Sequence, residues 1–518
     1  MKSLNINAYK PWVFILGTGL LIAGCSKELD FGDSPSPLTP ASLDANAGTW
    51  DPIVLTSIDQ VAVPVPAVVN SVSYMAELES IKKLQANLTD EQKEIIEYWS
   101  SGGIIRWNQI MLDIAAEFDL PPAPREDGTY PGPDSENPFA DPMFPFSNPP
   151  YASRAYSYIH VAQFDALKAA WHYKFMYNRP SPCKVDNSIK VLMPVTDLPS
   201  YPSEEAVMSA VTVDIMKVMF PAAVEEITRL AADQRNAALW SGKATASDLS
   251  SGMALGKAIA AIILNRAGTD GMSASAGNPA IWQAMADSAA ARGETPWISL
   301  EDPRRPPMLP LFGKVLGWNM TTADFINERP GPPPSTSSEQ MKIELEEVKN
   351  TVENLTREQL AICHFWADGA GTPTPPGHWN YIATRYIREA KFSEVRTARV
   401  YALLNMAMLD AAIACWDVKF TYFNPRPSQL DPSIKTVTGL PNFPSFTSGH
   451  STFSAASATV LSYIFPGQTQ HFFGLADEAA ISRLYGGIHY RSDIEVGIEH
   501  GKVVGQYTVN YALTDGAD

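Results

Sequence analysis

The 518-residue chain repeats itself at an offset of 245 residues, and this duplication constrains its fold more than any other feature. Matching residues occur from the first third of the chain to its end. The pairs are Tyr156 with Tyr401, Asp165 with Asp410, Trp171 with Trp416, Lys174 with Lys419, Phe220 with Phe465, Asp248 with Asp493 and Gly252 with Gly497. So many identities at one offset indicate two copies of one structural unit.

Both copies have the pattern of helical proteins. Residues 398–416 and 253–264 are rich in Ala, Leu and Met, with helical periodicity and no strand-like alternation. A Thr-x-x-Gln sequence begins at Thr89 and again at Thr356, and this capping-box pattern is typical of a helix N-terminus. We therefore predict an all-α fold of duplicated helical bundles packed into one body.

A proline-rich segment separates the two copies. We predict a degenerate N-terminal bundle at residues 71–295, a Pro-rich connection at 296–340 and a catalytic C-terminal bundle at 341–518.

The first 25 residues have the pattern of a bacterial lipoprotein signal. An apolar run at 12–23 follows two lysines and is too short for a comfortable membrane-spanning helix. It ends in Leu-Ile-Ala-Gly before Cys25, which resembles a lipobox, and Ser26 follows instead of the Asp that favours inner-membrane retention. We predict a signal peptide at 1–24, a lipid on Cys25, and a tether and N-terminal extension at 25–70. The protein would then be an outer-membrane lipoprotein of the cell envelope that contacts the membrane through its lipid only.

Charge and cysteine content exclude other classes. The formal charge is −17 and no Lys/Arg cluster is present, which excludes a nucleic-acid partner. Apart from Cys25, the cysteines are Cys183, Cys363 and Cys415, an odd number without metal-type spacing, so no disulfide framework is implied.

The second copy contains three clusters of polar residues in an apolar helical context. They are Lys419 with Arg426-Pro427, then Ser448-Gly449-His450, then Ser482-Arg483 with His489 and Asp493. An ammonium, two guanidinium groups, a hydroxyl and a glycine amide supply many hydrogen-bond donors, which suits a tetrahedral oxyanion. The i, i+4 spacing of His489 and Asp493 predicts one helical face, where the carboxylate would orient the imidazole. His450 is the candidate general acid and base.

These clusters resemble the signature of the type 2 phosphatidic acid phosphatase and vanadium-dependent haloperoxidase superfamily. Longer strings, at 409–416, 443–444 and 487–489, are more similar to the haloperoxidase branch. Close similarity covers residues 398–504, and the degenerate repeat extends it across most of the mature chain.

The resemblance implies a role for each residue of the clusters. The groups that would bind the oxygens of vanadate or phosphate are Lys419, Arg426, Ser448, the Gly449 amide and Arg483. His489 would bond to vanadium or attack phosphorus, Asp493 would orient His489, and His450 would move protons. Phe443 and His378 are candidates for a halide pocket.

Three functions remain open at this point. A vanadate-containing haloperoxidase would oxidise halide with hydrogen peroxide. A phosphatase would hydrolyse a phosphomonoester or lipid phosphate through a phosphohistidine, without a resident cofactor. The third alternative is a non-catalytic surface-binding lipoprotein. The duplicated bundles favour the haloperoxidase, while the short spacer from His450 to Arg483 is typical of small phosphatases.

The first copy lacks the central residues of the site. Glu205, Ala238 and Ala244 stand where the second copy has its histidines and second arginine. We therefore predict a structural role for this half, in which an ion pair between Arg179 and Glu205 would reuse the old site.

Overall fold

A computed structural model describes residues 36–130 and 148–517. The predicted signal peptide at 1–24, the lipidation site Cys25 and the first part of the tether lie outside these residues. The described residues from 36 onward belong to one compact unit.

The first copy and the connection contain ten α-helices among the described residues. They are α1 (Val72–Gln85), α2 (Asp90–Trp99), α3 (Gly103–Glu117), α4 (Pro149–Tyr177), α5 (Pro182–Val185), α6 (Glu204–Met219), α7 (Val224–Trp240), α8 (Ala246–Ala267), α9 (Pro279–Ala291) and α10 (Thr322–Asn327).

The second copy adds α11 (Glu339–Glu353), α12 (Arg357–Phe365), α13 (Thr374–Ala390), α14 (Glu394–Tyr422), α15 (Pro427–Leu430), α16 (Gly449–Ile464), α17 (Thr469–Tyr485) and α18 (Arg491–Ala512). Helices α14–α18 begin and end 245 residues after α4–α8. Residues 36–130 and 148–517 contain no β-strand. The prediction of an all-α, duplicated fold is confirmed.

The two longest helices, α4 and α14, have 29 residues each and equivalent ends. The side chain of Asn148 caps α4 by accepting the Tyr151 N–H, and Ser393 caps α14 in the same way. Each helix ends at a residue with positive φ, Asn178 at 49° and Phe423 at 57°, which satisfies the last carbonyl groups. Both predicted capping boxes, at Thr89 and Thr356, are also present.

Helices α4 and α14 pack against each other at the centre, and each copy packs its other helices around its own long helix. Glycines let α18 lie close to α16, and α8 close to α6. A Cβ on Gly501 would lie 2.3 Å from the Thr452 carbonyl oxygen, and one on Gly256 would lie 2.6 Å from that of Val207. This close approach brings the N-termini of α16 and α18 together, where the candidate site lies.

Residues 36–70, the described part of the predicted tether and N-terminal extension, pack against both copies, and Asp44 forms an ion pair with Arg396 of α14. The carboxylate of Asp165 accepts the N–H groups of Ile53 and Val54 at 2.8 Å each. Trp50 is 1% exposed. Burial of the Trp50 side chain removes its apolar surface from water, which stabilises the packing of this segment on the bundle.

The connection at 296–340 is held in the equivalent way. Asp410, the counterpart of Asp165, accepts the N–H groups of Trp318 and Asn319 at 2.7 and 2.8 Å. The indole of Trp416 donates to the Met308 carbonyl. The duplication therefore includes the segment that precedes each long helix.

Two described stretches are long and apolar enough to cross a membrane, Ala246–Ala274 and Glu394–Leu430. The second, which contains α14, is 100% buried and the first is half-buried. The apolar character of α14 is that of a core helix. The three described cysteines are free thiols, and Cys363 and Cys415 are buried.

Candidate functional site

The predicted site residues meet where five helices of the second copy, α14 to α18, converge. Lys419 lies in the last turn of α14, and Arg426 precedes α15. Ser448 caps α16, and its own N–H donates to the Asp493 carbonyl oxygen at 2.9 Å. Arg483 lies in the last turn of α17. The site is built from helix ends because these are the points where backbone N–H groups and long side chains are free to face a ligand.

His489 and Asp493 form a buried pair, with Nδ1 of the imidazole 2.8 Å from Oδ2 of the carboxylate. The expectation that both lie on one helical face is wrong, because α18 begins only at Arg491 and His489 lies in the loop before it. Asp493 in the first turn of α18 also accepts the Ser445 hydroxyl and the Tyr490 N–H. The carboxylate therefore fixes Nδ1 as the protonated nitrogen and leaves Nε2 with its lone pair.

Three cations surround this imidazole. Nη1 of Arg426 lies 3.0 Å from Nε2 of His489 and also donates to the Ile488 carbonyl. Nζ of Lys419 donates to the carbonyls of Pro444, Ser445 and Thr447. Nη2 of Arg483 donates to the Cys363 carbonyl. These backbone contacts hold the cations in place without neutralising them.

The buried site contains more positively charged than negatively charged side chains, and burial shifts the pKa values of these groups. Desolvation lowers the pKa of Lys419 to about 7 and those of Arg426 and Arg483 to about 10. Burial and the three cations hold the pKa of His489 well below its usual value, so the imidazole is neutral. Burial raises the pKa of Asp493 to about 6. An anion among the cations would raise the lowered pKa values of Lys419, Arg426, Arg483 and His489.

His450 is joined to a residue that the sequence motifs do not include. Its Nε2 lies 3.4 Å from Oδ2 of Asp368, and Oδ1 of Asp368 lies 3.0 Å from Nδ1 of His378. Burial and Arg483 lower the pKa of His450 to about 4, whereas Asp368 raises it. Burial opposes ionisation of Asp368, but the two histidines hold its pKa well below the ordinary value.

The two halide-pocket candidates have different neighbours. The ring of Phe443 lies 5.1 Å from Nζ of Lys419 and 5.1 Å from Cζ of Arg426. His378 instead stacks on Trp366, with ring centroids 4.2 Å apart. Phe443 therefore borders the cations, whereas His378 is connected to the site through Asp368.

The polar clusters lie within a recognised family region. Residues 399–515 match the sequence profile of the PAP2 superfamily. This region belongs to the PAP2 superfamily. All the oxyanion donors predicted from the sequence fall inside the PAP2 region, whereas Asp368 and His378 precede it.

Solved structures show the same fold over most of the chain. A bacterial vanadium-dependent iodoperoxidase is similar with a TM-score of 0.57 and 24% identity, over 78% of this chain and 96% of that one. The holo form of a bacterial vanadium-dependent chloroperoxidase is similar with a TM-score of 0.50 and 13% identity, over 77% and 99%. The fold of this chain is therefore that of vanadium-dependent haloperoxidases. A search of curated proteins finds no match.

The donor set of the PAP2 region fits vanadate or phosphate. Among residues 36–130 and 148–517 no group of three or more His, Cys, Asp and Glu side chains is placed to hold a metal cation. An oxyanion needs no such group, because cationic donors and one neutral nitrogen hold it. Lys419, Arg426 and Arg483 supply the cations, and Nε2 of His489 supplies the nitrogen.

Asp368 was missed because its local sequence, Ala-Asp-Gly-Ala-Gly, is that of an ordinary loop. Its backbone has a positive φ of 43°, which Asp tolerates better than most residues. The one indication in the sequence is the nearby His378, which was predicted to line a halide pocket but for which the sequence indicates no hydrogen-bond partner.

The first copy reuses its old site, but not through the predicted pair of Arg179 with Glu205. Arg179 instead pairs with Asp248, and Glu205 pairs with Lys243. The pairing differs because Glu205 is at the second position of α6, beside Lys243, whereas Asp248 keeps the register of Asp493.

Proposed function

We propose that this protein is a vanadium-dependent haloperoxidase that oxidises halide with hydrogen peroxide. The enclosure of the site carries the proposal. Lys419, Arg426, Arg483 and His489 are 0–2% exposed, whereas the side chain of His450 is 16% exposed. A site whose donors are so deeply buried suits small reactants such as peroxide and halide better than a bulky ester.

Several hydrogen-bond donors of the PAP2 region would bind the oxyanion together. The groups for its oxygens are Lys419, Arg426, Arg483, the Ser448 hydroxyl and the Gly449 N–H. Nε2 of His489 would bond to the vanadium because Asp493 keeps the proton on Nδ1. Bound vanadate supplies the activation of hydrogen peroxide towards halide. The neutral imidazole of His450 would accept the proton that peroxide loses on entering the site.

Phe443 would shape the path of the halide. Its half-buried ring contacts Lys419 and Arg426, so an anion beside the ring would be attracted by two cations. The ring edge, which is the positive part of the aromatic quadrupole, would favour a large, weakly hydrated halide.

A phosphatase is the second candidate, and the neutral His489 nucleophile favours it. Nε2 would attack phosphorus as the bond from phosphorus to the leaving oxygen breaks, and His450 would protonate that oxygen. The same donors serve both reactions, because vanadate and phosphate have the same tetrahedral shape and similar charge.

One experiment tests both candidates. The chain from residue 26 onward, which contains the whole compact unit, is assayed with orthovanadate for peroxide-dependent oxidation of iodide and bromide, and without vanadate for phosphate-ester hydrolysis. We expect vanadate-dependent halide oxidation that His489→Ala abolishes. Hydrolysis without halide oxidation would favour the phosphatase, and neither reaction above background in the wild type would favour the non-catalytic alternative.

We also propose that the protein is an outer-membrane lipoprotein of the cell envelope. The lipobox-like sequence before Cys25 supports this location. Metabolic labelling with a fatty acid and membrane fractionation should detect lipid on the wild type. Cys25→Ser should abolish both the label and the membrane association; a labelled Cys25→Ser variant would contradict the assignment.

A further inference from the structure

An aromatic cluster lies beside the entrance to the site. We define this entrance cluster as Phe365, Trp366 and His378. The ring of His378 stacks on Trp366, and the ring of Phe365 meets His378 edge-on with centroids 4.9 Å apart. Phe365 is 59% exposed, although it ends α12 at the edge of the core. An exposed phenyl ring placed against a buried stack is a surface on which another flat ring can lie.

The histidine of this cluster has a fixed tautomer. Asp368 accepts a hydrogen bond from Nδ1 of His378 at 3.0 Å, which selects the tautomer with its proton on Nδ1. Nε2 then carries a lone pair and makes no hydrogen bond within residues 36–130 and 148–517. The His378 side chain is 15% exposed, so this acceptor is within reach of a ligand. The entrance cluster thus presents an aromatic face next to a hydrogen-bond acceptor.

We propose that Phe365 and His378 form a binding site for a phenolic organic substrate. The phenol ring would lie on Phe365 while its hydroxyl donates to Nε2 of His378. An aliphatic molecule would lack the ring contact, and an aromatic ether would lack the hydrogen bond. Two contacts run from this site to the catalytic centre, His378 to Asp368 and Asp368 to His450.

The assignment of the phenol as the halogen acceptor rests on the proposed haloperoxidase function. Peroxide and halide supply the hypohalous acid. Halogenation of the ring forms a carbon–halogen bond and breaks the oxygen–halogen bond, and the ring proton leaves with the hydroxide as water. A phenol held at the entrance cluster, which is connected to His450 through Asp368, would meet the hypohalous acid before it diffuses away.

Binding is tested without turnover, by calorimetric titration of phenol and of anisole into the chain from residue 26 onward, with no vanadate or halide. We expect the wild type to bind phenol more tightly than anisole. Phe365→Ala should weaken phenol binding roughly fivefold, and Leu360→Ala, which removes another exposed apolar side chain of α12, should not. His378→Phe keeps a stacked ring and should make phenol and anisole bind equally.

Three binding results would overturn the proposal: no binding of phenol by the wild type, equal effects of Phe365→Ala and Leu360→Ala, or a phenol preference that survives His378→Phe. A second assay measures halide oxidation. Phe365→Ala should raise the KM for phenol while iodide oxidation without phenol stays unchanged. Intact phenol binding in a protein that oxidises no halide would reject the haloperoxidase function and leave the binding site standing.

Discussion

Oε2 of Glu204 lies 2.6 Å from Nζ of Lys174. Glu204 is the counterpart of Gly449, and Lys174 is the counterpart of Lys419. In the first copy a carboxylate of the chain itself therefore neutralises the ammonium group, whereas the equivalent ammonium group in the PAP2 region donates only to backbone carbonyls. Nζ of Lys243 lies 3.0 Å from the other oxygen of Glu204, so this carboxylate is held by two cations.

Glu204→Gln should destabilise the protein and spare its activity. Breaking a buried ion pair by removing one partner costs roughly 3–5 kcal/mol, and Glu204 is only 4% exposed. Urea unfolding measures the loss, and activity is normalised to folded protein. His489→Ala should show the opposite behaviour, with lost activity and little change in stability; equal losses of activity in the two variants would contradict a structural first copy.

The same carboxylate predicts how the stability depends on pH. Burial would raise the pKa of Glu204, but Lys174 and Lys243 hold it below the ordinary value of 4.5. A carboxyl group with a lowered folded pKa stabilises the protein above its unfolded pKa, and this contribution is lost as the pH falls below about 4.5. Glu204→Gln should therefore flatten the acid side of the stability curve.

Asp493→Asn should reduce the activity roughly 10- to 100-fold without unfolding the protein. The amide of Asn can donate to Nδ1 of His489, which would move the proton to Nε2 and remove the lone pair. The matched control is Asp248→Asn at the equivalent position of the first copy. Asp248 pairs with Arg179, so its substitution should lower stability and leave the rate per folded molecule unchanged. Equal rates of the two variants would refute the role of Asp493.

His450 should take up protons when an oxyanion binds. Burial and Arg483 lower its pKa to about 4, so it is neutral at pH 5. An anion beside Arg483 offsets that charge and favours imidazolium, so the pKa rises and a proton is bound. Sulfate is a suitable probe because it does not titrate at this pH. Calorimetry in two buffers of different ionisation enthalpy should find more proton uptake in the wild type than in His450→Gln; equal uptake would show that His450 does not sense the anion.

The sequence predicted the helices well because the duplication and the helix caps are local. The positions of α14–α18 follow from α4–α8 by one offset, and the capping boxes at Thr89 and Thr356 depend on residues three apart. The oxyanion donors were identified by their spacing in a motif, which the structure brings to four helix ends. The burial of Trp50 was not predicted, because its partners lie more than a hundred residues away.

Asp368 could not be found in this way. Its role depends on contacts with His450 and His378, which are set by how the loop after α12 folds back on the bundle. The amino-acid composition around Asp368 does not predict such a contact. The new pairs of the first copy, Arg179 with Asp248 and Glu204 with Lys174, depend in the same way on side-chain reach across the bundle.

Tyr156 is the residue of the first copy that we expect to affect catalysis. Its hydroxyl donates to the Pro373 carbonyl at 2.9 Å, and the N–H of Gly371 donates to the Asp119 carbonyl at 2.8 Å. These two contacts tie the loop that carries Asp368 to the first copy. The degenerate half would thus hold the partner of His450 in position although it has no complete site of its own.

Tyr156→Phe removes one buried hydrogen bond, which contributes roughly 1 kcal/mol, and should free the loop. The equivalent substitution, Tyr401→Phe, is the control, because the Tyr401 hydroxyl contacts Thr384 and not the loop. We expect similar losses of stability in the two variants. Only Tyr156→Phe should change the pH profile of the rate, because a displaced Asp368 no longer raises the pKa of His450, and the acid limb would move to lower pH. Identical pH profiles in both variants would mean that the first copy supports the fold alone.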